Sequence, residues 1–255
     1  MTKKFSNKNK EDKYGDDETF ESWADFNIFA PIAKKLVDPL YNLGMTPNMV
    51  TITSTIFTLS SIYFLHIENK QLAVFSYIFG YLLDCVDGRM ARKYNLGSDI
   101  GMALDCVSDN ISNFILFIYI LSTRPYNQQT IIFIVVLLFM SGMLSLSYGL
   151  NEAVSAYESA QELSEDELSE DELDIECDSD NFYKKRVNQI KDKKLTCYEK
   201  ILYSIFLLIN KVSYTSYRCY FPKYDKQKIY KKLKNLKHFG PGNFCIIISI
   251  MLLYI

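Results

Sequence analysis

At 255 residues the chain could hold one or two ordinary domains, and its averages (49% hydrophobic, 23% charged, net charge −2) resemble those of a soluble globule. The averages hide a segregation that argues against one: residues 162–180 carry eleven acidic side chains and no basic one, which leaves the remainder of the chain at +9. The cysteines, Cys85, Cys106, Cys177, Cys197, Cys219 and Cys245, form no C-x-x-C pair. They read as small apolar residues in a reduced compartment rather than as a zinc site or a disulfide framework.

Residues 1–19 form a polar tail without the apolar stretch of a cleavable signal, so the first span is expected to act as its own insertion signal. Residues 20–44 read as an interfacial amphipathic helix. Trp23, Phe26, Phe29, Ile32, Leu36, Leu40 and Leu43 recur at three- and four-residue steps with Lys34, Lys35 and Asp38 between them. Pro31 is expected to start its main part and Gly44 to end it. Residues 45–150 then hold four apolar stretches, at 50–67, 72–86, 100–121 and 131–150. A helix needs about 20 apolar residues to cross a hydrocarbon core, and only a helix satisfies its own backbone polar groups there. The fold class predicted is therefore an all-α, polytopic membrane helix bundle of five or six spans.

Residues 151–200 read as an acidic, then basic, cytosolic loop, disordered in part, in which the unit E-L-S-E-D repeats. Ser164 and Ser169, each followed by three acidic residues, suit an acidophilic kinase. Within residues 201–240, the stretch 201–217 is either interfacial or spanning. If interfacial, all basic residues except Lys70 and Arg124 fall on one side of the membrane, which the positive-inside rule favours. Residues 241–255 form a last, short span.

The informative stretch is DCVDGRMARKYNLGSDIGMALDCVSD, residues 84–109. Asp84 and Asp87 share one helix face at the end of the second span, and Asp105 and Asp109 share a face near the start of the third. A connection containing Gly88 and Gly97 lets the two helices fold back on each other, so that four carboxylates converge near the membrane surface. Ionisable residues inside spans cost about 3 kcal/mol each and mark function. Four at one depth need a cation, and oxygen-only ligation points to Mg²⁺, with Mn²⁺ as an alternative. Two such ions about 4 Å apart suit a diphosphate.

This stretch resembles the signature of the CDP-alcohol phosphotransferase (class-I CDP-alcohol phosphatidyltransferase) family, D-x2-D-G-x2-A-R-x8-G-x3-D-x3-D. It meets every fixed position with Asp84, Asp87, Gly88, Ala91, Arg92, Gly101, Asp105 and Asp109. The upstream M-T-P-N-M-V-T is also similar to that family. The resemblance implies that Asp84, Asp87, Asp105 and Asp109 hold two divalent ions and that Asp109 is also the general base. It assigns Pro47, Asn48, Thr51, Gly88, Ala91, Arg92, Ser98 and Gly101 to the CDP-linked lipid, and leaves Arg89 and Lys93 as membrane anchors. The family usually has six spans, where this sequence offers five, the last one short. The activity implied is transfer of a phosphatidyl group from a CDP-lipid, CDP-diacylglycerol foremost, to a small polar alcohol such as inositol, serine or glycerol phosphate, with release of CMP. The partners expected are the bilayer, these two substrates and a second copy in a homodimer, with no nucleic acid, and the active site faces the cytosol. Three other readings stand beside it: a CDP-choline or CDP-ethanolamine:diacylglycerol phosphotransferase, a membrane prenyltransferase, and a catalytically impaired scaffold that displays the acidic loop.

Overall fold

The computed structural model describes residues 22–123, 125, 127–144, 146, 195–220 and 235–254. The polar tail, the acidic repeat with Ser164 and Ser169, and Arg124 lie outside them. Among the described residues there is helix and turn and no strand.

A π-turn over Asp25–Phe29 runs into α1, Ala30–Asn42. Pro31 sits in the first turn of α1, where its missing N–H has no intrahelical acceptor to lose. Gly44, at φ +82°, lies beyond its end and donates its N–H to the Tyr41 carbonyl at 2.9 Å. Small residues, Ala24, Ala30, Ala33 and Val37, face inward, together with Phe29. The rest of the large apolar stripe stays outside or half-buried, with Trp23 62% and Leu43 78% exposed.

Helices α2, Pro47–His66, and α3, Lys70–Lys93, follow. Each starts ahead of its apolar stretch because a polar cap precedes it. Thr46 accepts from Met49 N at 3.3 Å, and Asn69 accepts from Leu72 N at 3.1 Å. α3 also runs well past its apolar stretch. It carries Asp84, Asp87 and Gly88 without a break, since no proline intervenes and Val86, Asp87, Arg89 and Met90 are all buried. Residues 94–98 turn the chain. Asn95 takes the left-handed conformation at φ 54°, and Leu96 N donates to the Ala91 carbonyl at 2.8 Å. α4 spans Asp99–Thr123 and α5 spans Gln128–Leu144. Asn127 caps α5 by accepting from Thr130 N at 2.9 Å.

α6, Cys197–Tyr220, opens on a capping box in which Thr196 N donates to Glu199 Oε2 at 2.7 Å and Glu199 N donates to Thr196 Oγ1 at 3.4 Å. The Thr196 hydroxyl, which donates to Glu199 Oε2 at 2.7 Å, and then the Thr196 N–H hold the Glu199 carboxyl below its ordinary range. The last helix, α7, is Pro241–Tyr254.

The described residues fall into two compact units, divided between Met140 and Ser141 and again between Lys237 and His238. In the first, α2 packs on α3 and α4, and α3 also packs on α1 and α7. The α2–α3 contact is close because its residues are small. Ser54 Oγ donates to the Gly80 carbonyl at 2.9 Å, and a Cβ on Gly80 would lie 2.5 Å from Thr58 Oγ1 and 3.0 Å from its backbone nitrogen. Gly80→Ala should therefore cost about 2 kcal/mol of stability, read as a lower melting temperature in detergent.

α2 and α4 are long and apolar enough to cross a membrane, and α5 and α7 are shorter apolar helices. α6 is long enough but is not among the crossing candidates. Ile52, Ile56, Phe114, Ile118, Val135 and Leu138 are left exposed on α2, α4 and α5.

Candidate metal centre

The last turns of α3 and the first turns of α4 carry the four aspartates. Three of them meet: Asp84, Asp105 and Asp109 each offer one carboxylate oxygen, and these three oxygens lie within 4.8 Å of one another. Asp84 and Asp105 are half-buried and Asp109 is exposed, so the group opens to the outside on the Asp109 side. Asp84 Oδ1 is buried and has no hydrogen-bond partner.

Asp87 does not join the group. It is 4% exposed, and its Oδ2 accepts the Thr51 hydroxyl at 2.5 Å. The expected four-carboxylate cluster is thus three carboxylates with the fourth tied to α2. The reason is local: Thr51, one turn into α2, offers a hydroxyl donor to this buried carboxylate.

The residues expected to bind the CDP-linked lipid surround this group in different ways. Pro47 occupies the first turn of α2. Asn48 presses on Gly101, where a Cβ would lie 2.7 Å from Asn48 Oδ1 and 3.0 Å from Ser98 Oγ. Ser98 caps α4 by accepting from Gly101 N at 3.0 Å. Gly101→Ala should push the first turn of α4 off Asn48 and shift Asp105 one turn later. Turnover should fall about tenfold with little change in melting temperature. Thr51 is given to Asp87, and Ala91 supplies the carbonyl that closes the turn after α3. Gly88 is covered by Arg92, whose Nη1 would lie 3.2 Å from a Cβ there.

The two expected anchors behave differently. Arg89 is 8% exposed and donates from Nη1 to the Cys85 carbonyl at 2.9 Å, so it is an interior residue rather than a surface anchor. Lys93 pairs with Asp38 Oδ1 at 2.9 Å. The Tyr94 hydroxyl also donates to Asp38 Oδ1 at 2.6 Å, and the Tyr94 ring stacks on Tyr41 at 3.6 Å. These contacts fasten α1 to the end of α3. The Tyr94 hydrogen bond, then Lys93, holds the Asp38 carboxyl below its usual range, and the same bond raises the Tyr94 phenol. On the opposite side, buried Tyr77 donates to Asn113 Oδ1 at 3.1 Å, and Asn113 Nδ2 donates to the Asp109 carbonyl at 2.9 Å. None of these contacts has a local sequence signal beyond the polarity of an intrahelical residue.

Three carboxylates this close repel by about 3 kcal/mol per charged pair at an effective dielectric near 20. An oxygen-only set with one buried, unsatisfied oxygen fits a hard divalent cation, which would supply the missing partner. Fold and geometry together define a helical protein with an interhelical carboxylate centre. Residues 44–162 match the model of the CDP-alcohol phosphatidyltransferase family.

Among its relatives, an uncharacterized protein of Aquifex aeolicus is 32% identical over 91 residues, covering 34% of this chain and 46% of the relative. The archaetidylinositol phosphate synthase of Pyrococcus horikoshii is 36% identical over 74 residues, covering 29% and 39%. The phosphatidylinositol phosphate synthase of Mycobacterium tuberculosis strain H37Rv is 32% identical over 90 residues, covering 35% and 42%. The chain spans less than half the length of these relatives. No solved structure matches it significantly.

Proposed function

We propose that the protein is an integral membrane phosphotransferase that moves a phosphatidyl group from a CDP-linked lipid, CDP-diacylglycerol foremost, to a small polar alcohol and releases CMP. The observation that carries this reading is the meeting of Asp84, Asp105 and Asp109 around a buried, unpartnered oxygen, inside the segment that matches the family. Asp84, Asp105 and Asp109 would hold a divalent ion, Mg²⁺ first, and a second ion would draw on Asp87. Bound there, such ions neutralise charge on the diphosphate and on the departing CMP.

The rest falls to the chain's own side chains. Asp109, the exposed member of the group, takes the proton from the acceptor hydroxyl as that oxygen attacks the β-phosphorus. The bond from the β-phosphorus to the CMP oxygen breaks, and CMP leaves. Arg92, folded over Gly88, donates its guanidinium fork to phosphate oxygens as the nucleotide enters. Thr51 steadies Asp87.

The apolar side chains left exposed on α2, α4 and α5 face lipid in this reading, and α1 lies in the interface on its outward stripe of large side chains. The side of the membrane rich in Lys and Arg is the cytosolic side, and the aspartates face it. Two relatives are named as synthases of inositol phosphate lipids, which makes an inositol phosphate the first acceptor to try. The test is an acceptor screen: purified protein, Mg²⁺ and labelled CDP-diacylglycerol with inositol phosphate, inositol, serine or glycerol phosphate in turn. CMP release with one acceptor and not the others supports the reading. Absence of CMP with every acceptor, from protein that is folded and binds Mn²⁺, rejects the transfer.

A further inference from the structure

The described helical core begins at Ser22 and ends at Tyr254, and the structure ties these two ends to each other. The first turns of a helix leave N–H groups that no carbonyl of the same helix can satisfy. Here each of two helices satisfies an orphan of the other. The Asp25 carboxylate accepts from Gly242 N, at the start of α7, through Oδ2 at 3.0 Å. The Asn243 side chain in return accepts from Ala24 N through Oδ1 at 3.0 Å. Ser22 Oγ adds a donor to Asp25 Oδ2 at 2.6 Å, and it accepts from Asp25 N at 3.2 Å. The join leaves no spare room: a Cβ on Gly242 would overlap the Asp25 carboxylate and lie 2.8 Å from the Asp25 backbone nitrogen.

The remaining Asp25 oxygen is used differently. Oδ1 accepts the Tyr81 hydroxyl at 2.5 Å, and the Tyr81 ring meets Phe29 edge-on at 4.7 Å. Tyr81 and Asp84 are three residues apart on α3 and share a face. A rotation of α3 that carries the Tyr81 hydroxyl away from Asp25 must also carry the Asp84 carboxylate away from Asp105 and Asp109. Asp25 takes three donors on its two oxygens and stands outside the group formed by Asp84, Asp105 and Asp109.

We propose that Asp25 is a positioning residue for the metal centre, which sets the rotation of α3 through the Tyr81 hydroxyl and fastens the short last helix in the same join. This rests on the reading of Asp84, Asp105 and Asp109 as metal ligands. Residues one shell out from a metal typically tune its affinity by 10–100-fold. A contact at this remove belongs at the low end of that range.

The experiment uses the full chain in detergent micelles, with Mn²⁺ binding followed by its EPR signal and melting followed separately. Tyr81→Phe removes only the hydroxyl and keeps the ring on Phe29. It should weaken Mn²⁺ binding about tenfold. Asp25→Ala should do the same, and the double variant should be no weaker than Asp25→Ala, because both act through one contact. Asp25→Asn should fall between them and wild type. Asn243→Ala, which breaks the join on the α7 side only, should lower the melting temperature and leave Mn²⁺ affinity unchanged. If Tyr81→Phe and Asp25→Ala melt earlier but bind Mn²⁺ as wild type does, Asp25 is a helix cap and the proposal is overturned. If the wild-type protein binds no Mn²⁺, the metal-centre reading itself falls and takes this one with it.

Discussion

Asp109→Asn should lower CMP release on the order of 10³-fold, the usual contribution of a positioned general base, while the protein remains folded. The substitution keeps the shape of the side chain and removes both its charge and its ability to take a proton. Asp109 is the exposed member of the carboxylate group, so it is the one an acceptor hydroxyl can reach. Its backbone carbonyl is held by Asn113 Nδ2 at 2.9 Å, a contact the substitution leaves alone, so the α4 backbone should not move. The informative comparison is Asp87→Asn. That side chain is bonded to Thr51 and stands outside the group of three, and an amide oxygen can still accept the Thr51 hydroxyl. Turnover by Asp87→Asn should therefore exceed that of Asp109→Asn by at least tenfold. Equal losses at both positions would mean that the four carboxylates act as one interchangeable set and that no single base exists. Turnover of Asp109→Asn within a few-fold of wild type would remove Asp109 from the chemistry altogether.

The spacing of the aspartates was readable because a helix converts steps of three and four residues into a shared face. Local chemistry decided the rest in places where hydropathy is silent. Thr46, Asn69 and Asn127 start their helices ahead of the apolar stretches, because a side-chain acceptor for an orphan N–H costs no apolar residue. α3 continues through a charged sequence to Lys93 because its final turns are buried against neighbours, and a hydropathy pattern cannot register that. Arg89 illustrates the same limit: its charge suggested a surface anchor, yet the structure buries it. Long-range pairs were invisible for a further reason. Asp87 meets Thr51 across a separation of 36 residues, and Asp25 meets Gly242 across 217. Each polar group alone looks like an ordinary solvated residue, and only the fold makes them partners.

Asp84→Asn should reverse the order of stability with and without divalent cation. In the absence of a cation, the wild-type group brings three carboxylates within 4.8 Å of each other, with Asp84 Oδ1 buried and unsatisfied. An amide at position 84 removes one charge from that group and offers donors to the two carboxylates that remain. The variant should then melt above wild type in EDTA. In the presence of Mg²⁺ the sign changes, because a cation binding only the folded state adds about 2.7 kcal/mol at a hundred times its dissociation constant. Wild type should gain that increment and Asp84→Asn should lose most of it, so the two melting curves cross as Mg²⁺ is titrated. Thr51→Ser serves as the control, since it keeps the hydroxyl for Asp87 and should shift both conditions equally. A wild-type melting temperature that ignores Mg²⁺ would leave the close approach of the three carboxylates without a cause. A variant that retains the full Mg²⁺ increment would mean that Asp84 is not a ligand and that its buried oxygen is satisfied in some other way. The crossing is the diagnostic feature because a destabilising substitution without a role at the metal lowers both curves and never exchanges their order.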